Sequence, residues 1–192
     1  MKEFILTAFA DSASVKQQFA REHADRIIQV ARLIATAFRD GHKLLLFGNG
    51  GSATDAAHIA AEFVGRYKRE RSPLPAIALA TDIAAITSIA NDYGFDELFA
   101  RQVRAHGQKG DVAIAISTSG ISPNVLKGVE AARECGMTTI AWTGATGGKL
   151  AELADYSFLV PSTVTARIQE SHITLGHVLC ELVEEQVLGK TS

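Results

Sequence analysis

The chain is poor in cysteine, with two in 192 residues, Cys135 and Cys180. Both stand in apolar, helix-like contexts and neither belongs to a CxxC spacing. That excludes a disulfide framework and makes a reducing cytoplasm the expected compartment. Basic excess is also missing: 19 Lys+Arg face 21 Asp+Glu, for a formal net charge of −2. General affinity for a phosphate backbone needs surplus positive charge, so no direct nucleic-acid binding is expected. No apolar run approaches the roughly 20 residues of a membrane helix, and Met1-Lys2-Glu3 opens no signal peptide. Repeats, low-complexity tracts and linkers are absent too. With 47% hydrophobic and 21% charged residues the composition excludes disorder. The length suits one domain over residues 1–192.

What is present divides into a helical arm, 1–40, and an alternating body, 41–192. From Glu22 to Arg39 apolar residues recur at Ile27, Ala31, Ile34 and Phe38, a helical stripe that Val30 and Ala37 broaden. Gly41 supplies a C-cap just beyond it. Glu3 to Gln18 also reads as helix, with an interruption expected at Asp11-Ser12. Two such helices ahead of the first strand would cover a sheet edge or form an oligomer interface. After Gly41, short apolar runs follow at Leu44–Phe47, Ala76–Ala80, Val112–Ile116, Thr138–Trp142 and Tyr156–Val160, with helical stretches between them. Five buried strands alternating with helices predict an α/β fold: a five-stranded parallel sheet in a three-layer α/β/α sandwich. A final helix is predicted over Ala166–Leu188.

Ligands of such sheets bind beyond the C-terminal strand ends, and two of those ends are unusual. The first strand runs into Gly48-Asn49-Gly50-Gly51-Ser52, ahead of a helix beginning near Ala53. Glycines admit a ligand close to the backbone, and a helix start offers free N–H groups. The plainer reading is a tight turn with Ser52 as N-cap. The stretch also fits G-x-G-x-x-A, but a dinucleotide site needs an acid at the end of the second strand, about 20 residues on. That strand closes too late, at Thr81-Asp82, and Glu70 precedes it; a P-loop lysine is missing as well. The third strand ends in Ser117-Thr118-Ser119-Gly120-Ile121-Ser122-Pro123. Four hydroxyls at a helix start with Pro123 in its first position form a neutral cradle for a phosphate dianion. Otherwise Ser122 is only an N-cap.

His58 and Glu62, four apart on the next helix, share a face and can ligate a metal or pair acid with base. Such a pair is more often simply solvated. Arg66, one turn on, can clamp a phosphate or carboxylate. The last helix presents Gln169, His172 and His177, with Gln169 and His177 two turns apart. Asn91-Asp92-Tyr93-Gly94-Phe95 reads either as a pocket-lining loop or as an Asx turn.

Taken together, Gly48 to Ser52, His58 through Arg66-Tyr67, Asn91 to Phe95, Ser117 to Gly120, Thr143-Gly144 and Arg167-Ile168-Gln169-Glu170 resemble the sugar isomerase (SIS) domain family, and within it the phosphoheptose isomerases. The resemblance covers nearly the whole chain and implies a flavodoxin-like SIS fold. It also implies a cytoplasmic homotetramer, with N-terminal helices in a central bundle and active sites between subunits. The implied reaction converts sedoheptulose 7-phosphate to D-glycero-D-manno-heptose 7-phosphate, for lipopolysaccharide or other heptosylated glycans. One zinc ion per subunit would be held by His58, Glu62, Gln169 and His177. The sugar phosphate would be held by Asn49, Gly50, Gly51, Ser52, Glu62, Arg66, Asn91, Asp92, Ser117, Thr118, Ser119, Ser122 and Gln169. Silent relatives of the same fold bind the bacterial replication initiator, and Leu74–Leu79 through Ile89–Asp92 is similar to them. They lack the equivalents of Glu62 and His177, which this chain has. Family isomerases often place an acid before Arg-Ile-Gln; here Ala166 stands there.

An aldose–ketose isomerisation through a cis-enediol needs a base for the carbon-bound proton, an acid for the carbonyl oxygen, and stabilisation of enediolate charge. The resemblance implies Glu62 as base and His177 as its acid–base partner, with zinc polarising the carbonyl. A carboxylate held by zinc is a weaker base, so either Glu62 moves between metal and substrate or the metal is partly structural.

Overall fold

A strand buried along its whole length needs cover on both faces, and β1 (Leu44–Gly48) and β3 (Val112–Ile116) are buried at every residue. In the computed structural model, which describes residues 1–189, they sit at the centre of one five-stranded sheet. Its order is β2-β1-β3-β4-β5, with β2 at Ala76–Ala78, β4 at Thr138–Thr143 and β5 at Tyr156–Leu159. Every pairing is parallel: Leu44 lies opposite both Ala76 and Val112, Val112 opposite Thr138, and Ile140 opposite Tyr156. This is the flavodoxin-like order, with its switch point between β1 and β3.

Alternation along the strands sorts the core into two layers. Leu44, Leu46, Ile114, Ile116, Ile140 and Trp142 pack against α1 (Lys2–Arg39), α2 (Gly51–Val64) and α7 (Thr165–Leu188). Leu45, Phe47, Ala113, Ala115 and Ala141 face the other way, toward α4 (Leu98–His106), α5 (Pro123–Glu134) and α6 (Gly148–Leu153). The short α3 (Ile83–Tyr93) joins that second layer through Ile86 and Ile89 and has no fully buried residue.

Three expectations need correction. Residues 2–39 form one continuous helix, not two. Asp and Ser in a helix interior cost no more than about 0.7 kcal/mol each, and here Asp11 is solvated while Ser12 borders a cavity with Arg167 and Glu170 of α7. The arm docks by its C-terminal half, whose buried residues begin at Phe19, and it covers the β5 edge. There Arg26 Nη1 donates to the Ser157 carbonyl at 2.8 Å. Gly41 follows at φ 81°, the left-handed stop that the sequence suggests. The second strand ends at Ala78, short of Ala80, because the Thr81 hydroxyl turns back onto the Ala78 carbonyl and Asp82 caps α3. Finally, α2 begins at Gly51 with Gly50 as its N-cap, so Ser52 is a buried first-turn residue and not the cap.

On α7, His172 is fully buried beside Trp142 and donates through Nε2 to the Thr143 carbonyl at 3.3 Å. Burial pushes its pKa down to about 4, against the help of that bond. Between about pH 6.5 and 4 the unfolded chain therefore holds a proton that the folded chain refuses. Stability from this site is complete above that window and falls by about 1.4 kcal/mol per pH unit as the pH drops through it. His172→Gln keeps a donor without a titration and is expected to flatten this slope, measured by denaturant unfolding at steps between pH 7 and 4.5.

Candidate active site

Two strand-end loops and one helix pair carry most of the site residues that the sequence suggests. At the end of β1, Gly48 lies so close to the Ile116 carbonyl and Ser52 that a Cβ has no room, and Gly50 turns the chain at φ +55°. Asn49 exchanges a pair of 2.9 Å amide hydrogen bonds with Asn124, in the first turn of α5. That pair ties the glycine turn to the hydroxyl loop after β3. In the loop, Ser117 Oγ lies 3.1 Å from Ser122 Oγ and 3.5 Å from Ser119 Oγ, and the Gly120 N–H donates to Ser117 Oγ. Ser122 occupies the N-cap position of α5 without making a capping bond, because its hydroxyl faces Ser117. Three hydroxyls thus converge at the start of a 12-residue helix, whose positive end favours an anion. Thr118 and Ser119 also border a cavity of about 250 Å³ with Thr146, Ser162, Thr163 and Thr165.

The helix pair carries the titratable groups. His58 Nε2 lies 3.3 Å from Glu62 Oε1 and 3.1 Å from His177 Nε2. The three residues bring one ligand atom each within 4.8 Å of the others. Zinc bonds of about 2.0–2.1 Å at tetrahedral angles put neighbouring donor atoms about 3.3 Å apart. Two imidazoles and a carboxylate at these separations therefore fit zinc, and three protein ligands leave a position open for chemistry. Asp55, one turn before His58, is partly buried; burial raises its pKa, opposed by the charge of His58.

The remaining residues distribute differently. Gln169 lies against Gly51, at the glycine turn, and its eight-residue separation from His177 is about 12 Å along α7. His58, Glu62 and His177 gather around one point between α2 and α7. Arg66 is exposed and pairs with Glu70 at 3.6 Å, so within one chain it clamps nothing in the loops. Asn91 and Asp92 end α3 and bond to each other at 2.8 Å. They are neither loop nor Asx turn, and α3 belongs to the layer opposite α2 and α7. Ala166 is exposed in the first turn of α7.

A family model for the SIS domain matches residues 9–144. The phosphoheptose isomerase of Aquifex aeolicus (strain VF5) is 60% identical over 191 residues, covering 100% of both chains. That of Thermodesulfovibrio yellowstonii is 57% identical over 96% of this chain and 92% of its own. This chain belongs to the phosphoheptose isomerase family of SIS domains. The solved phosphoheptose isomerase GmhA of Neisseria gonorrhoeae superposes with a TM-score of 0.90 at 44% identity, covering 96% of this chain and 98% of that one. A phosphoheptose isomerase from Francisella tularensis gives 0.92 at 38%, covering 95% of this chain and 97% of that one.

Within this family member, the sequence reading missed the groups that hold the site. Glu184 of α7, 2% exposed, accepts the N–H groups of Tyr67, Lys68 and Arg69 at 2.9–3.1 Å and Arg71 Nε at 2.9 Å. Burial would raise its pKa, but those donors hold it below the usual carboxylate range. Arg71 in turn donates to the Glu62 and Phe63 carbonyls at 2.8 Å, closing the end of α2. The available signal was a carboxylate on the apolar stripe of Leu179, Cys180 and Val183. Gly176 is the other missed element, since a Cβ there would collide with Ile59 of α2. Gly→Ala inside a helix ordinarily gains about 1 kcal/mol. Gly176→Ala is expected to lose about 1–3 kcal/mol by overpacking, read from the denaturation midpoint.

Proposed function

We propose that the chain is an aldose–ketose isomerase that converts sedoheptulose 7-phosphate to D-glycero-D-manno-heptose 7-phosphate. The observation that carries this reading is the convergence of Glu62, His58 and His177 in a chain that also carries a hydroxyl cradle at the start of α5. Glu62 and His177 together also speak against a silent binding module.

In this reading the phosphate dianion sits on Ser117, Thr118, Ser119 and Ser122 at the N-terminus of α5. Asn49, Gly50, Gly51, Ser52 and Gln169 hold the sugar chain beside the glycine turn. Glu62 Oε1 faces His58, which leaves Oε2 to take the proton from C1 of the open-chain ketose. His177 gives a proton to the C2 oxygen, forming the cis-enediol. Glu62 then returns its proton to C2 while His177 accepts the O1 proton, leaving the aldose and restoring both groups. His58, Glu62 and His177 would hold zinc, which when bound supplies a Lewis acid for the carbonyl. Gln169, beside the glycine turn, would serve the metal, the substrate or both.

Residues 1–192 act as one SIS domain with 1–40 as an assembly arm. Phe4, Ile5, Leu6 and Phe9 are exposed on the free half of α1, which supports burial in a homotetramer. Arg66, Asn91 and Asp92, dispersed in the single chain, would then serve a site shared between subunits. Cys135 and Cys180 are unpaired, which suits the cytoplasm. Among the described residues no helix is long and apolar enough to cross a membrane.

With sedoheptulose 7-phosphate in deuterated buffer, NMR is expected to show aldose signals and exchange at C1 and C2. Glu62→Gln is expected to slow both by about 10²–10⁴-fold while substrate still binds. Near-wild-type exchange in that variant would remove Glu62 as the base, and no turnover by zinc-supplied wild type would remove the isomerase. Replacing Phe4, Leu6 and Phe9 by Ser is expected to lower the mass seen by light scattering from four chains, with the circular dichroism unchanged. An unaltered mass would separate the arm from assembly.

A further inference from the structure

The chain leaving α2 doubles back over α7 and lays the Tyr67 ring against the His177 imidazole. The two rings are nearly parallel, 21° apart, with centroids 5.6 Å from each other, an offset stack. On another side the His58 ring meets the same imidazole edge-on, at 62° and 5.1 Å. A histidine χ2 is a broad torsion with no sharp minimum of its own. A half-buried imidazole such as His177 therefore takes its rotation from whatever walls it.

Tyr67 is held firmly enough to be such a wall. Its N–H donates to Glu184, which stands seven residues beyond His177 and so on the same face of α7. Arg71 closes the turn by joining Glu184 to the Glu62 and Phe63 carbonyls, so the segment is anchored to both helices that carry the ligand atoms. Lys68 adds a salt bridge to Glu181 at 2.8 Å, with its ammonium 5.5 Å from the Tyr67 ring centre. None of these contacts serves the sheet. They act on the ring next to the site.

We propose that Tyr67 is a positioning residue: pinned by Glu184 and Arg71, its ring fixes the rotation of the His177 imidazole and keeps Nε2 turned toward His58 and Glu62. The effect on turnover rests on the role of His177 proposed above; the effect on the ligand set does not.

The test compares wild type, Tyr67→Phe and Tyr67→Leu in two assays: zinc affinity by competition with a chromophoric chelator, and steady-state isomerisation. Outer groups that orient metal-binding histidines typically change affinity by about 10–100-fold. Tyr67→Leu is expected to lose zinc affinity in that range and to lower kcat about tenfold, with KM within twofold because the hydroxyl loop is untouched. Tyr67→Phe keeps the ring and is expected to restore both. Glu184→Gln, if it folds, is expected to match Tyr67→Leu, and the double variant to be no worse than either. If Glu184→Gln does not fold, the Tyr67 pair decides alone. Zinc affinity and kcat both within twofold of wild type in Tyr67→Leu would overturn the proposal, as would a phenylalanine variant as impaired as the leucine one. A wild type that binds zinc without isomerising, and loses affinity in Tyr67→Leu alone, would sustain the positioning role and overturn the isomerase reading.

Discussion

The close approach of α2 to α7 is the constraint on which the rest of the site depends. Gly176 of α7 permits it, because a Cβ there would collide with the buried Ile59 of α2. That glycine gives up helix propensity, and the return is geometric. With the helices this near, residues 58 and 62 of one and 177 of the other can place polar atoms about 3 Å apart. The same proximity lets Glu184 reach across to the chain leaving α2. That carboxylate and Arg71 are both almost wholly buried, a costly state for two charges. The cost is offset because Glu184 receives three backbone N–H groups besides the guanidinium, and Arg71 reaches the carbonyls at the end of α2. Removing one partner of such a pair typically costs about 3–5 kcal/mol.

The disposition of charge also matters for the proposed chemistry. Arg71 touches the backbone carbonyl of Glu62, not its carboxylate, and its positive charge is matched by Glu184. The Glu62 carboxylate is left with imidazole neighbours. The hydroxyl loop follows the same economy of charge. It offers Ser117, Ser119 and Ser122 at a helix N-terminus with no lysine among them, so an anion is met by dipoles and hydroxyl hydrogen bonds.

Much of this was legible in the sequence, for a physical reason. Parallel strands buried on both faces read as short apolar runs, and those runs locate all five strands to within two residues at either end. The loops at the ends of β1 and β3 stand out because glycines and hydroxyls have few other reasons to cluster there. What stayed hidden depends on partners distant in the chain. Asp11-Ser12 looks like a break because its neighbours alone do not reveal α7 beside it. Glu184 is the instructive case. A carboxylate in an apolar stripe usually signals a polar partner arriving from elsewhere, and here that partner is the segment 67–71.

The same distinction bears on the assembly. A side chain engaged within its own chain looks different from one left over: Asn49 and Asn124 satisfy each other, and Glu184 is surrounded by donors. Arg66 and the Asn91-Asp92 pair have only solvent-exposed partners, and α3, apolar over Ile83–Ile89, has no fully buried residue. Phe4, Ile5, Leu6 and Phe9 extend this to the free end of α1. A fold that packs its sheet core so completely has no internal use for these surfaces. Burying them against further copies would remove apolar area from water on α1 and α3 at once. In the assembly proposed above, Arg66, Asn91 and Asp92 would reach a site shared between subunits, and catalysis and assembly would be coupled through residues that a single chain leaves apart.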